Sequence, residues 1–508
     1  MNVERPVRPE LVIGLVGALG TDIEGIQTAI EAALRCVAYD SRAVRLSGEI
    51  RQLVDSLGLK LGELEPSESP IENLMNLGDA FRYEVNDAGA AARLAVALIS
   101  SERIQEFDGE EGDAPEERYA VATIVRQLKH PAEVEVFRTI YGPRFLLIGS
   151  WAPRSERLSA IKLRLQAEVP NKPAAWYESQ ATKLIERDEK DGSRADGQRV
   201  RDTYQLADAY VCVRQGFDYK RSVERIVQTY FGAPFSTPTR DELAMFYAFG
   251  ARLRSSAGGR QVGAVVVDGD GEVLVAGTND VPRAHGGQYW EGDEPDHRDF
   301  TSGYDFNDKE KSQLVSDLMG RLKDAGGWLS EERAASEPAD LAREALDKSG
   351  PISSSRIADL LEFGRILHAE MAVICTAARR GTPIGGTTLY TTTYPCHECA
   401  RLIIGSGIAR VVYVDPYPKS MVSSMYADQT TDDPQRRDRV VFEAFSGFSP
   451  RLFDAMFAMQ GRERESHSGK YVRWDASTSK PRTLSERAPG STFISAEDLL
   501  ISELSWLD

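Results

Sequence analysis

The sequence predicts an α/β protein of two domains, a parallel-sheet domain over residues 1–235 and a three-layer α/β/α domain over residues 236–508. A chain of 508 residues exceeds the usual size of one domain. Residues 11–34 read LVIGLVGALGTDIEGIQTAIEAAL, a buried strand, a glycine-rich turn and an amphipathic helix, which commonly begin a parallel α/β domain. Beyond residue 355, predicted helices and strands alternate again, which favours a second layered domain.

Two more apolar runs extend the predicted N-terminal sheet. Residues 144–153 (RFLLIGSWAP) and 206–213 (LADAYVCV) have the continuous apolar character of strands that are buried on both faces. The charged run DGEEGDAPEE at residues 108–117 is predicted to be a solvated loop. We therefore expect a central sheet with helices and polar loops around it.

The second domain is predicted to begin with a helix over residues 240–256 and a β-hairpin. The hairpin consists of VGAVVV, a DGDG turn and EVLVAG, so Asp-Gly turn residues separate two β-rich runs. A polar stretch at about 284–350 has no clear strand pattern and is predicted to be a partly helical insertion. The remaining elements are predicted in the order helix, strand, helix, strand over residues 355–381, 387–395, 396–407 and 409–418.

Composition narrows the class of protein. The net charge of −17 disfavours a broad nucleic-acid-binding surface but leaves room for a small anion in a local basic pocket. Five cysteines do not form a disulfide framework, so we expect reduced thiols and a cytoplasmic protein. No stretch reaches the ~20 apolar residues of a membrane span, and the N-terminus MNVERPVRPE lacks the apolar run of a secretion signal. We expect no membrane partner.

Two short motifs, HAE and PCHEC, form a predicted metal site. Cys396 and Cys399 are three residues apart, so on the first turn of a helix both sulfurs face one side. Pro395 suits a helix start, and a helix N-terminus favours thiolates. Two thiolates and the imidazole of His368 indicate zinc, and three protein ligands leave a fourth position open, as in catalytic sites.

Glu370 is the predicted catalytic acid and base. Zinc lowers the pKa of a coordinated water towards ~7, and a nearby carboxylate that does not bind the metal can move its proton. On a regular helix, however, residues two apart do not share a face. His368 and Glu370 can both reach the site only at an irregular first turn, and we expect a helix break at Gly364 to create one.

The main alternative for the metal is a structural zinc knuckle with His397 as the fourth ligand. Adjacent residues such as Cys396 and His397 rarely converge on one ion, so we interpret His397 and Glu398 as bystanders. The other cysteines, Cys36, Cys212 and Cys375, are scattered, and we expect each to be a small buried apolar residue.

The ordered pattern H-x-E…P-C-x-x-C is the signature of zinc nucleobase deaminases. Residues 237–420 resemble the deoxycytidylate deaminase branch of the cytidine deaminase superfamily in RQVGAVVV, GTND, HAE and TTTYPCHECARLIIGSGIARVVYVDPYP. The resemblance implies a cytidine-deaminase-like fold and hydrolytic loss of ammonia from C4 of cytosine. It also implies Zn²⁺ on His368, Cys396 and Cys399, with Glu370 delivering protons.

The resemblance also suggests residues for the substrate. Asn279 matches the family's asparagine that hydrogen-bonds the sugar, and we favour this role over the alternative of a turn residue after a strand. The backbone around Ala369 and Tyr394 would line the base pocket. For a phosphate, position in the predicted layout offers two candidates: Lys419, in the loop at the carboxyl end of the last predicted strand, where α/β sheets bind ligands, and Arg260, just before the hairpin. Solvated loops are the alternative for both.

The glycine-rich N-terminus departs from a P-loop. The motif requires a lysine and a Ser/Thr after its last glycine, but Thr21 and Asp22 follow Gly20, and Asp22 would repel phosphate. The turn at Gly17, Gly20 and Thr21 could still present N–H groups to an anionic nucleotide. The alternative is a tight βα turn without a ligand. We do not predict kinase catalysis.

The pairing of a P-loop-kinase-like domain with a deoxycytidylate deaminase domain resembles a bacterial anti-phage family. The likeness rests on LVIGLVGALGTD, LKHPAEVEVFRTIYGPRFLLIGSWAPRSER, QLADAYV and the deaminase motifs. It implies deamination of dCTP and dCMP, which drains the nucleotide pool that phages need. It further implies a thymidine nucleotide effector such as dTTP, an inhibitory small RNA and a homo-oligomer.

Two other functions stay open on the residues alone. A nucleic-acid cytosine or adenosine deaminase would use the same chemistry, but the acidic balance disfavours it. A nucleotide-sensing regulator could use the deaminase fold as a binding module. Retention of Glu370 argues against a regulator, because binding alone does not need a proton shuttle.

Overall fold

Among the residues that the structure describes, two sheets organise the fold, each of six strands. The structure is a computed structural model. By internal contacts the chain forms two compact units: Met1–Leu243, Val414–Pro416 and Ala444–Asp508 in the first, and Ala244–Tyr413 and Tyr417–Glu443 in the second. The described residues are 8–57, 67–106, 118–189, 197–347, 349–353, 355–358, 360, 362–416, 420–459, 464, 468–471, 473–484, 492–504 and 506.

The strands follow the chain in this order: β1 (Leu11–Gly17), β2 (Asp40–Arg45), β3 (Val121–Arg126), β4 (Phe145–Trp151), β5 (Ala209–Cys212), β6 (Gly263–Val267), β7 (Val273–Thr278), β8 (Thr388–Thr393), β9 (Arg410–Asp415), β10 (Thr430–Thr431), β11 (Val440–Ala444) and β12 (Gly447–Phe448).

The helices are α1 (Ile23–Cys36), α2 (Leu46–Leu57), α3 (Pro70–Glu84), α4 (Ala90–Glu106), α5 (Pro131–Tyr141), α6 (Arg154–Glu168), α7 (Ala174–Glu189), α8 (Val200–Tyr204), α9 (Tyr219–Tyr230), α10 (Arg240–Arg252), α11 (Asp299–Ser302), α12 (Phe306–Ala325), α13 (Glu331–Ala334), α14 (Pro338–Leu346), α15 (Ala369–Arg380), α16 (His397–Gly405), α17 (Val422–Met425), α18 (Phe453–Phe457) and α19 (Thr492–Ser502).

The sheet of the first unit has the order β12-β5-β4-β1-β3-β2. Strands β1 to β5 are parallel to their neighbours, and β12 runs antiparallel to β5. All seven residues of β1 are buried, as expected for a central strand with helices on both faces. The predicted α/β class is confirmed, and the two predicted apolar runs form β4 and β5.

The sheet of the second unit has the order β10-β11-β9-β8-β6-β7. The predicted hairpin is present, because β6 pairs antiparallel with β7 across the Asp-Gly turn. Strand β6 also pairs antiparallel with β8, so this sheet is mixed. Helix α15 packs on β6 and β7, which fixes its first turn over the sheet.

The polar stretch at 284–350 lies between β7 and α15 and contains the four helices α11 to α14 within the described residues. The predicted helix over 355–381 is wrong in its first half, because regular helix begins only at Ala369. Gly364 lies before this start in irregular backbone, so it does not interrupt a helix.

The C-terminal tail differs from the predicted domain boundary. Residues 444–508 group with the first unit and not with residues 244–413. Two sets of contacts attach these residues to the first unit. Strand β12 extends the first sheet beside β5, and Glu497 of α19 accepts hydrogen bonds from Arg103 and Tyr141. A buried ion pair of this kind holds α19 on the helices of the first unit.

Within the described residues, no helix combines the length and apolar character needed to cross a membrane.

Candidate metal and active site

Three donor atoms of the second unit converge on one point. His368 Nδ1 lies 3.3 Å from Cys396 Sγ and 3.3 Å from Cys399 Sγ. All three atoms lie within 4.8 Å of one another, the spacing of a group that can hold a metal ion. The two cysteines are buried and the histidine is partly buried.

The two sulfurs converge because of how α16 begins. Strand β8 ends at Thr393, and Cys396 is the N-cap of α16 in extended conformation. Its sulfur accepts from the backbone N–H of Cys399 at 3.5 Å, so both sulfurs face the same side of the first turn. The residue before the cap is Pro395, as the motif predicts at a helix start.

His368 and Glu370 both reach the site because helix α15 begins between them. His368 is the N-cap of α15, with an extended backbone (ψ 156°), and Ala369 is the first helical residue. Because the two residues straddle a helix start, the rule that residues two apart point to different faces does not apply. The expected irregular first turn is present, but its position is His368 and not Gly364.

Glu370 lies against the donor group without belonging to it. Its side chain is buried, and its Oε2 lies 3.4 Å from Cys399 Sγ. The hydroxyl of Thr391 donates to Oε1 at 3.0 Å. Thr391 is a fully buried residue of β8, and the sequence predictions missed it. No alternation of buried and exposed positions marks it, because its neighbours Tyr390 and Thr392 are buried as well.

The pKa values of the two thiols shift in opposite directions. Hydrogen bonding from Cys399, and then from His368, lowers the pKa of Cys396 to about 4. The same cysteine pair and burial raise the pKa of Cys399, so one proton is shared between the sulfurs. Burial raises the pKa of the Glu370 carboxyl. The site therefore combines a thiolate, an imidazole nitrogen and a carboxyl whose pKa is raised by burial.

The donor set fits zinc. Two sulfurs and an imidazole nitrogen match the soft-to-borderline ligands of this ion. In the described part of the chain, the metal-binding group does not include His397. The imidazole of His397 instead lies 3.9 Å from its neighbour Glu398. The structural knuckle with His397 as a ligand is therefore not formed.

Asn279 and Arg260 lie together at the edge of the hairpin. The buried amide of Asn279 donates to the carbonyl of Arg260 at 2.7 Å and accepts from the N–H of Val262 at 2.6 Å. Asn279 thus fixes the backbone that leads into β6. The exposed Arg260 guanidinium donates to Thr393 Oγ1 at 3.4 Å, at the end of β8.

The remaining predicted substrate residues have mixed positions. Ala369 is fully buried at the start of α15. The ring of Tyr394 packs on Tyr413, with 4.7 Å between centroids. Lys419 lies outside the described residues. Next to it, Ser420 donates to the carbonyl of Pro395 at 2.8 Å, so its hydroxyl supports the turn before α16.

The N-terminal turn is packed tightly in the first unit. A Cβ on Gly17 would lie 2.3 Å from Ser150 Oγ, and Gly20 has a left-handed backbone (φ +90°). Both glycines are therefore needed for space or conformation. The N-cap of α1 is Asp22, whose carboxylate accepts from the N–H of Gly25. Gly20 and Thr21 line a cleft, described below.

The scattered cysteines differ from one another. Cys212 is buried in β5, as expected, whereas Cys36 and Cys375 are exposed. The expectation is wrong for the exposed pair because both lie on outward faces of amphipathic helices, α1 and α15.

The chain matches a known family over this region. Residues 238–415 match the family model of the "Cytidine and deoxycytidylate deaminase zinc-binding region". The matched range contains all three metal-binding residues and Glu370. For this region, the family model and the three donor atoms confirm the predicted zinc cofactor.

Curated relatives align over short stretches. A deoxycytidylate deaminase of Enterobacteria phage T2 is 46% identical over 54 residues, 11% of this chain and 29% of the relative. ComE operon protein 2 of Bacillus subtilis (strain 168) is 32% identical over 106 residues, 18% of this chain and 55% of the relative. A human deoxycytidylate deaminase is 38% identical over 60 residues, covering 12% of this chain and 33% of the relative. The chain thus spans about a third to a half of the lengths of these relatives.

Among solved structures, a dCMP deaminase from the cyanophage S-TIM5 in complex with dCMP and dUMP is similar over 42% of this chain and 100% of that chain. Its sequence identity is 18% and its TM-score is 0.23.

Proposed function

We propose that this chain is a zinc-dependent deaminase that converts deoxycytidine nucleotides, dCMP or dCTP, into the corresponding deoxyuridine nucleotides and ammonia. One observation carries the proposal. A three-donor group of His368, Cys396 and Cys399 lies beside a buried carboxyl, Glu370, inside a region that matches a deaminase family model. A binding module would need the donor group but not the carboxyl.

The chemistry divides between the metal and the protein. His368, Cys396 and Cys399 would hold zinc, which supplies a Lewis acid that makes water nucleophilic at neutral pH. Glu370 moves protons, first to N3 of cytosine and then to the amino group that leaves from C4 as ammonia. The hydroxyl of Thr391 donates to one carboxyl oxygen and leaves the other directed at the metal-binding group.

The substrate contacts form a finer part of the proposal. The Asn279 amide has a second Nδ2 hydrogen beyond the one that it gives to Arg260, and we propose that it bonds the sugar. Arg260, together with Lys419, is proposed to hold the phosphate. The backbone at Ala369 and Tyr394 is proposed to line the base pocket.

Replacement of Arg260 by Ala should then raise KM for dCMP while leaving KM for deoxycytidine unchanged. Equal changes for both substrates would remove Arg260 from phosphate binding.

The main experiment is a substrate panel. Purified zinc-loaded protein is incubated with dCMP, dCTP, CMP, CTP and single-stranded DNA, and uracil products are quantified. We expect turnover of dCMP or dCTP and little of the ribonucleotides or DNA. Product from DNA alone would favour a nucleic-acid deaminase, and no product from any substrate would favour a regulator.

In the cell, we propose that a cytoplasmic enzyme of this kind depletes dCTP and so limits phage replication. We further propose that the first unit is a P-loop-kinase-like regulatory domain, that dTTP and a small RNA act as effectors, and that the active form is a homo-oligomer. The strand order of β2-β3-β1-β4-β5, in which the chain reverses direction at β1, supports a nucleotide-binding role. Cells that express the Glu370→Gln variant should keep their dCTP during infection and lose protection. Protection without turnover would separate defence from deamination.

A further inference from the structure

The first unit contains a cleft of about 470 Å³ at the carboxyl ends of three parallel strands. Its walls include Gly20 and Thr21 after β1, Arg45 at the end of β2, and Arg126 at the end of β3. In open parallel sheets, ligands bind outside the carboxyl ends of the strands, where the strand order reverses direction. Here β1 lies between β3 and β4, so the cleft occupies that position. We call it the N-terminal cleft.

Two arginines of this cleft are neighbours without a counter-charge. Arg45 and Arg126 are directly paired in the register of β2 and β3. Neither guanidinium forms an ion pair or a side-chain hydrogen bond with any residue that the structure describes. Two adjacent cations repel each other unless an anion lies between them. A pair of arginines at this spacing suits the oxygens of a phosphoryl group, which guanidinium groups bind in bidentate fashion.

A buried amide in the same wall also lacks a partner. Gln198 is 4% exposed and lines the cleft, and its Oε1 accepts no hydrogen bond within the described residues. Buried side-chain acceptors are normally satisfied. An unsatisfied carbonyl oxygen facing a cleft therefore indicates a ligand that carries an N–H or O–H donor. Nucleobases carry N–H donors on their edges and sugars carry hydroxyl donors, so a nucleotide can satisfy this oxygen.

The rest of the cleft wall is apolar, which suits the weakly polar ring of a nucleobase. Leu46, Ile50, Ile71, Leu74 and Met75 contribute apolar wall next to the charged end. A concave site with apolar walls and a few convergent polar groups is the usual form of a small-molecule site.

The glycine-rich turn is not the phosphate site. Asp188, which is buried, accepts from the N–H of Leu19 at 2.7 Å and from Lys129 Nζ at 2.5 Å. Its carboxylate thus occupies the place beside the turn that a phosphate would take. Asp22 and Glu24 add negative charge at the start of α1. An anionic ligand is therefore favoured at the arginine end and disfavoured at the turn.

We propose that the N-terminal cleft binds a nucleoside monophosphate, with its phosphoryl group between Arg45 and Arg126 and its base against Gln198 and the apolar wall. The two arginines can neutralise one phosphoryl dianion, and a longer phosphate chain would meet the acidic turn. The proposal refines the nucleotide-binding role proposed for the first unit. It does not depend on deamination in the second unit.

The test uses the full zinc-loaded chain and isothermal titration with dTMP, AMP, ribose 5-phosphate and inorganic phosphate. We expect at least one of the two nucleotides to bind, and at least tenfold more tightly than ribose 5-phosphate or phosphate. Arg45→Ala and Arg126→Ala should each weaken that binding at least tenfold. Arg164→Ala is the matched control, because Arg164 lines the same cleft but already pairs with Glu168 at 2.8 Å. It should change the dissociation constant less than twofold.

Gln198→Leu tests the base end separately. It should weaken nucleotide binding about tenfold and leave binding of ribose 5-phosphate unchanged. Melting temperatures of the unliganded variants check folding, and Arg126→Ala should not melt earlier, because it removes a repulsion. Nucleotide binding that Arg45→Ala and Arg126→Ala leave intact would overturn the proposal, as would binding of neither nucleotide. If the cleft binds no nucleotide but dCMP is still deaminated, the cleft proposal fails and the proposed function remains. If nucleotide binds in the cleft but dCMP is not deaminated, the proposed function fails and the cleft proposal remains.

Discussion

Two junctions between a strand and a helix have the same order of parts: a strand, a short turn and a helix with a side-chain cap. The capping side chains differ in chemistry, since one is a thiol and the other a carboxylate. At β8–α16, the strand ends at Thr393 and the helix is capped by Cys396. At β1–α1, the strand ends at Gly17 and the helix is capped by Asp22. The first junction brings a sulfur to two other metal-binding atoms. The second brings a carboxylate to the backbone N–H of Gly25.

The comparison shows that the capping residue decides what a helix N-terminus can bind. The partial positive charge of α16 favours a thiolate at its cap, which is then free to bind a cation. At α1 the same charge is already satisfied by Asp22, and Asp188 occupies the adjacent N–H of Leu19. A glycine-rich turn therefore does not make an anion site when carboxylates fill it first.

The largest expected effect comes from removing the metal at the first junction. His368→Ala removes one of three donors, so zinc content and dCMP turnover should both fall to background. His397→Ala is the control in the same motif, and it should keep zinc because His397 does not belong to the donor group. Elemental analysis measures both variants. Loss of zinc in His397→Ala would contradict the assignment of ligands.

Glu370→Gln should separate binding from chemistry. The amide keeps the volume and the hydrogen bond from Thr391 but cannot move protons, so turnover should fall about 10²- to 10⁴-fold with zinc retained. The control is Glu398→Gln, since Glu398 pairs with exposed Arg401 and not with the metal group. Steady-state kinetics and metal content decide the outcome. Turnover near that of the unchanged protein would exclude Glu370 from the mechanism.

Thr391→Val should have a smaller effect on the same carboxyl. It removes the 3.0 Å hydrogen bond to Glu370 but conserves shape. A lost hydrogen bond of about 1 kcal/mol corresponds to roughly a fivefold decrease in kcat, with KM and zinc content little changed. Thr391→Ser restores the hydroxyl and should recover most of the rate. If Ser and Val behave alike, Thr391 acts only through packing.

Asp188→Ala tests the second junction and should leave zinc content and kcat for dCMP unchanged. It leaves Lys129 and the N–H of Leu19 without their carboxylate, so the free energy of unfolding of the first unit should fall by about 1–3 kcal/mol. Glu186→Ala on the same helix removes an exposed ion pair with Arg154 and should cost less than about 1 kcal/mol. Urea unfolding compares the two. Equal costs would mean that Asp188 does not hold the turn.

Much of the metal site could be predicted from sequence because its parts are local. The spacing of Cys396 and Cys399 is a property of one helical turn, and Pro395 marks where that turn begins. The need for an irregular start near His368 also followed from helix geometry. The position of that start did not follow from the sequence, because the helix that was predicted over 355–381 is irregular before Ala369. Only packing of α15 on the hairpin strands fixes that start.

The sequence by itself determined the α/β class, the hairpin of β6 and β7, and the donor residues of the metal group, because periodicity and short spacing encode them. The tertiary structure alone decided the partners of residues that are distant in the chain. It brought Thr391 to Glu370, Asp188 to the glycine-rich turn and residues 444–508 to the first unit. It also placed Arg45 beside Arg126, because strand pairing joins segments about eighty residues apart, and no local pattern in either segment specifies that pairing.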